Sequence, residues 1–197
     1  KVKGYAYGVI ASVSYGLNPL FALPLYASGI RVDSVLFYRY VFALLFLAVM
    51  MKMSGQSFAL KRNEILPVAV MGLLFSFSSL FLFQSFNYMD AGIASTILFM
   101  YPVLVAVIMA VFFKERLSVV KIASIATAFV GISMLYKGEG GATLSMTGVC
   151  LVLMSSLTYA LYIVGVNRSS LKEMPGLKLT FYAILFGSLV YIVRLRG

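Results

Sequence analysis

Long apolar runs alternate with short charged corners along this chain, and that alternation sets its architecture. Seven runs are legible, at about 4–27, 34–53, 65–88, 91–113, 117–136, 146–167 and 177–194. Each is close to the roughly 20 residues that a helix needs to cross about 30 Å of hydrocarbon. The clearest stretch is 84–136. There Asp90 ends a Phe-rich run, a second run spans 91–113, the corner Lys114-Glu115-Arg116 turns the chain, and a third run begins at Leu117. The pattern predicts an all-α integral membrane protein with about seven transmembrane helices.

Polar residues interrupt these runs selectively. In the first span, Pro19 and Pro24 lack an N–H and crowd the carbonyls of Tyr15 and Leu20. Freed carbonyls are costly in lipid unless they face protein or a wet cavity. Ser14, Tyr15 and Asn18 share about a third of that helix's circumference, so this face is either a kinked packing surface or a cavity wall. Arg39 is the only charge well inside a span, roughly 9 Å along the second helix from Asp33. Two readings stand for it: an arginine that snorkels or pairs with Asp33 or Asp90, or a contact for a substrate carboxylate.

In the third span, Phe75, Phe77, Phe81, Phe83 and Phe86 read as lipid contacts. Ser76, Ser79, Gln84 and Asn87 form a polar stripe whose amides lipid cannot satisfy. In the fourth, Ser95, Thr96 and Tyr101 precede a kink expected where Pro102 displaces the bond to the Leu98 carbonyl. The fifth carries Ala123, Thr127 and Gly131 at four-residue spacing, which favours close helix packing. Glu115 either caps the next helix or pairs with a base, with proton coupling as the alternative. On the sixth, Ser155, Thr158, Tyr159 and Tyr162 lie within about 100° of one another.

Composition agrees with the pattern. The 197 residues are 62% hydrophobic and 11% charged, with a mean hydropathy of +1.00. A soluble domain is about one-quarter charged. The net charge of +10 would suggest nucleic acid in a soluble protein, but here the bases sit in caps between apolar runs, so no nucleic-acid partner is expected. Eleven Lys and Arg fall on the side of the N-terminus against four on the other, which places the N-terminus in the cytoplasm. Arg194 and Arg196 run against that rule. The single cysteine, Cys150, excludes a disulfide framework. The absence of histidine removes His-based metal sites and Ser–His or Cys–His pairs. No metal, no other cofactor and no enzymatic activity are therefore expected. The chain begins at Lys1, shows no cleavable signal peptide, and reads as a span over 5–27.

The linker KGEGGAT at 137–143 divides the chain. A gapless shift of 144 residues then puts Gly4 on Gly148, Ser12 on Ser156, Tyr15 on Tyr159 and Leu17 on Leu161. The same shift puts Phe37-Tyr38 on Phe181-Tyr182, Phe42 on Phe186, Leu45 on Leu189 and Val49 on Val193. Five spans make an odd repeat, so the second copy enters the membrane from the opposite side. The expected organisation is a five-helix repeat over 1–137, a linker over 138–145 and the first two helices of an inverted repeat over 146–197.

These residues resemble the EamA family of the drug/metabolite transporter superfamily. The match rests on Arg39, the run Asp90-Ala91-Gly92-Ile93-Ala94, Tyr101-Pro102, Glu115-Arg116, Gly131-Ile132, Gly148, Tyr159-Ala160 and Arg168. The resemblance implies a ten-helix carrier of two inverted halves around a central cavity, in the plasma (inner) membrane, exporting small metabolites such as amino acids. The chain stops at Gly197 after seven spans, so it reads as an incomplete carrier without the equivalents of helices eight to ten.

The expected function is therefore secondary transport by alternating access. Candidate substrate contacts are Tyr15, Asn18, Arg39, Ser79, Gln84, Thr96, Tyr101, Ser155, Tyr159 and Tyr162. The polar faces of helices one, three, four and six are expected to converge on one cleft, flanked by the Pro19 and Pro102 kinks. Expected partners are the lipid bilayer and a small-molecule substrate, with homodimerisation an open option. The competing reading is a non-transporting membrane scaffold, whose polar groups only join helices.

Overall fold

A computed structural model describes residues 9–10, 13–115, 123, 126–127, 130 and 145–195. Among the described residues seven α-helices have defined bounds: α1 (Asn18–Ala27), α2 (Val32–Met53), α3 (Arg62–Ser85), α4 (Ala91–Leu98), α5 (Tyr101–Phe113), α6 (Met146–Arg168) and α7 (Gly176–Leu195). A 3₁₀ turn, Ser170–Glu173, joins the last two. α4 and α5 together form one span, so five candidate membrane spans are present among the described residues. The expected fifth span, its small-residue row and the Gly-rich linker lie outside the described residues, apart from Ala123, Ala126, Thr127, Val130 and Ser145. The five spans mark a multi-pass membrane protein.

Helix ends follow local chemistry. Gly29 and Gly55 take positive φ (80° and 64°) in the turns that close α1 and α2. Asp90 caps α4, accepting from the amides of Gly92 (2.8 Å) and Ile93 (3.2 Å). Glu64 reaches back to the Lys61 amide (3.1 Å) at the start of α3.

The fourth span breaks at Phe99-Met100, just before Pro102, as the missing proline N–H predicts. The carbonyl of Leu98 is answered instead by the Ser156 hydroxyl of α6 (3.2 Å). A freed carbonyl is thus met by a neighbouring helix.

α3 is the central helix. It lies along α6 on one side and α7 on the other; α2 packs on α7, and α4 and α5 pack on α6. Met71 meets Gly165 and Met89 meets Gly148, so α3 and α6 run antiparallel. Asp33 and Tyr40 of α2 meet Arg194 and Tyr191 of α7, so that pair is antiparallel as well.

Two kinds of seam hold α3. Toward α6, Ser155 donates to the Ser78 carbonyl (2.7 Å) and Ser78 donates to the Ser155 carbonyl (3.0 Å). Toward α7, Gly72 and Ser76 face Ala183 and Gly187, small residues at four-residue spacing on both helices. There Tyr191 donates to the Ser76 carbonyl (2.9 Å), and the Ser76 hydroxyl continues to Tyr40 (3.2 Å) and on to Ser79 (3.3 Å).

The phenylalanines of α3 divide. Phe77 is exposed, as expected of a lipid contact, but Phe83 (3% exposed) and Phe86 (8%) are core residues packed with Leu36, Leu80 and Ile184. Phe75 sits against Tyr40, Tyr159 and Tyr162. Periodicity places phenylalanines around the helix, but only the partners on α2 and α6 decide which of them are buried.

Candidate functional site

Ion pairs hold two of the described carboxylates, Asp33 and Glu115. Asp33, buried in the first turn of α2, accepts from Arg194 Nε (2.6 Å) and Nη2 (3.4 Å), with Arg31 at 3.6 Å. Arg194, which violates the charge asymmetry, is thus neutralised locally. Glu115 pairs with Arg168, whose guanidinium also lies over Phe113 (4.4 Å), on the opposite face of the bundle. Pairing with a base is what Glu115 does among the described residues, and the start of the next helix lies outside them.

Arg39 is left without a carboxylate among the described residues. Of the readings open for it, pairing with Asp33 or Asp90 is not what the structure shows, since both carboxylates are engaged elsewhere. Its guanidinium lies over the ring of Phe83 at 5.0 Å, a cation–π contact. It borders a cavity of about 440 Å³ between α1 and α2, lined also by Asn18, Phe21, Leu25, Phe42 and Phe83. That volume falls in the range of small-molecule sites.

Beside this cavity stands an aromatic cluster drawn from five spans. Tyr101 packs edge-on against Tyr159 (4.8 Å between centroids), and Tyr159 stacks on Tyr162 (5.9 Å). Phe75 meets Tyr162 at 5.4 Å and Tyr40 at 6.4 Å, and Tyr40 meets Tyr191 at 4.8 Å. Tyr15, before α1, lies within electrostatic reach of Arg39, Tyr101 and Tyr159, and so links the cavity to the cluster. Buried or half-buried phenols carry one polar handle on a large apolar body, which suits a lining that must be both dry and directional.

Of the ten candidate contacts, Tyr15, Asn18, Arg39, Tyr101, Tyr159 and Tyr162 fall in this one region. The other four lie elsewhere or are already engaged. Ser155 is fully buried and both its oxygens are used in the α3 seam, so it faces a helix rather than a cleft. Thr96 bonds back to the Gly92 carbonyl (2.9 Å). Ser79 accepts from Tyr40 (3.3 Å). Gln84 is half-buried, with no side-chain partner among the described residues. Sequence reasoning passed over Tyr40 and Tyr191, and it read Phe83 as a lipid contact although Phe83 is buried against Arg39. Tyr40 adjoins Arg39 but points to a different face, and an intramembrane tyrosine beside a charge was the available signal.

The EamA-like transporter family matches residues 2–137. The chain is 29% identical over 131 residues to an uncharacterized transporter, YxxF, of Bacillus subtilis (strain 168), covering 64% of this chain and 42% of that one. It is 27% identical over 131 residues to a second from that organism, YvbV, covering 64% and 43%. An uncharacterized transporter of Archaeoglobus fulgidus is 28% identical over 102 residues, covering 52% and 36%. The chain thus spans about two-fifths of the length of these curated relatives. No solved structure matches it. With more than two-thirds of its residues inside the family match, this chain belongs to the EamA-like transporter family.

Proposed function

We propose that the chain forms part of a secondary carrier that exports small metabolites, amino acids among the candidates, across the plasma membrane by alternating access. The observation that carries this reading is Arg39, without an ion pair among the described residues, at a cavity shared with Asn18 and adjoined by the Tyr101–Tyr159–Tyr162 cluster. A scaffold has no use for an uncompensated intramembrane charge beside open volume, because such a charge is costly. On this reading Tyr15, Asn18, Arg39, Tyr101, Tyr159 and Tyr162 contact substrate, while Ser155 holds the bundle together.

Counterflow in vesicles bearing the whole protein tests this reading. Tyr159→Phe removes a hydroxyl with no protein partner among the described residues, so thermal stability should hold while counterflow falls about tenfold, the scale of one lost polar contact. Ser155→Ala should do the reverse, lowering stability with selectivity unchanged. Absence of counterflow from the wild-type protein across a broad metabolite panel would favour the scaffold.

The same reading includes an inverted repeat, 1–137 and 146–197, with the N-terminus in the cytoplasm. The antiparallel course of α2 and α7, the pair that the 144-residue shift equates, supports it. Cysteines placed singly at Arg62, Arg116 and Lys172 in a Cys150→Ser background should label from the cytoplasm, and those at Arg31 and Glu139 from outside. Labelling of Lys172 and Arg31 from one side would exclude the inversion.

A further inference from the structure

We infer that the cavity at Arg39 selects apolar organic monoanions, compounds with one carboxylate on a hydrocarbon or aromatic body, over zwitterions and amines. This deepens the carrier reading and rests on it. The cavity offers one fixed positive charge, Arg39, and no negative one. Apart from Arg39, Asn18 and Tyr38, every residue lining it is apolar.

The described carboxylates are accounted for elsewhere. Asp33 is held by Arg194 and Arg31, Asp90 caps α4, and Glu115 is held by Arg168. Glu64 caps the start of α3, and Glu173 sits in the 3₁₀ turn after α6, both at the opposite end of the bundle. A ligand ammonium therefore finds no counter-charge at this cavity among the described residues. A ligand carboxylate finds a guanidinium whose N–H donors are bonded to no described residue, held from one side by the Phe83 ring.

One more polar group lies near, behind the cavity lining. The Tyr26 hydroxyl, buried and without a hydrogen-bond partner among the described residues, lies within electrostatic reach of Arg39 and of the Asp33 carboxylate that Arg194 holds. Phe21, Leu25 and Phe42 then receive the apolar body, in a site too poor in polar groups to solvate a second charge.

The test is a set of three probes sharing one aromatic body: 3-phenylpropionate, phenylalanine and 2-phenylethylamine. Binding is measured by titration calorimetry to the chain in phosphatidylcholine nanodiscs, where no lipid carries net charge. 3-Phenylpropionate should bind at least about tenfold more tightly than phenylalanine, with 2-phenylethylamine weakest, as one charge-assisted contact implies. Arg39→Gln should abolish that order, and Arg39→Lys should keep it with weaker affinity. Because Arg39 is exposed and unpaired, both variants should melt with the wild type. Tighter binding of phenylalanine or of the amine, or an order unchanged in Arg39→Gln, would overturn the inference.

Anionic phospholipid is the other source of such a charge. If phosphatidylglycerol stabilises the chain through Arg39 while no soluble acid binds, the occupant is a lipid and the assignment falls. Counterflow separates the two levels. Transport that prefers amines sinks the anion class alone, whereas absence of all transport sinks the carrier.

Discussion

Arg194→Gln is expected to destabilise the chain by about 3 kcal/mol, measured by reversible unfolding in mixed micelles. Asp33 is 5% exposed and accepts both Arg194 bonds, so losing that partner strands a buried carboxylate. Arg31 remains at 3.6 Å, but it is largely exposed and gives no bidentate contact, which holds the loss near the low end for a broken buried pair. The double variant Asp33→Asn/Arg194→Gln should recover most of the stability, because the amide carries no charge to compensate. A loss for Arg194→Gln within about 0.5 kcal/mol, the usual scatter for a surface change, would show that Arg31 suffices.

Gly72→Ala is expected to cost about 2–3 kcal/mol, the upper range for overpacking. A Cβ there would lie 2.6 Å from the Ala183 carbonyl oxygen, and a backbone atom cannot step aside. Gly187→Ala meets Ser76 Oγ at 2.0 Å and the Gly72 carbonyl at 2.8 Å, so it also disturbs the hydroxyl that binds Tyr40. Gly165→Ala is the control. Its new Cβ meets only the Met71 thioether end (2.4–2.5 Å), which can swing away, so the loss should stay below about 1 kcal/mol. Equal losses at Gly72 and Gly165 would mean that the rigidity of the opposing atom does not set the cost, since helix propensity alone favours alanine at both.

The spans were legible because a membrane leaves little choice: backbone polar groups must be satisfied within each segment, so apolar length reports the helix directly. Expected ranges 34–53 and 177–194 became Val32–Met53 and Gly176–Leu195. The proline break was legible for the same reason, since Pro102 acts on its own helix. Pairing was not. That Arg194 rather than Arg39 answers Asp33 depends on α7 returning beside α2, a contact between residues 161 apart. The seam role of Ser155 was hidden likewise, because a helical face can be read from spacing while its neighbour cannot. The Gly72/Ser76 and Ala183/Gly187 spacing could have been found, since it repeats the small-residue rule read in the fifth span.

The order in which these helices meet has a consequence for biosynthesis. α3 makes its main contacts with α6 and α7, whereas it touches its chain neighbours α2 and α4 far less. During synthesis, α2 and α3 therefore reach the bilayer before the surfaces that complete them exist. Until α7 arrives, Asp33 lacks Arg194, the Ser76 carbonyl lacks Tyr191 and the Gly72 groove stands open. Non-local pairing of this kind delays productive folding and leaves sticky surfaces uncovered in the interval. A ribosome pausing between α5 and α6 would hold the chain in that vulnerable form, so quality-control proteases should recognise the nascent N-terminal half far more readily than the chain once α7 has docked.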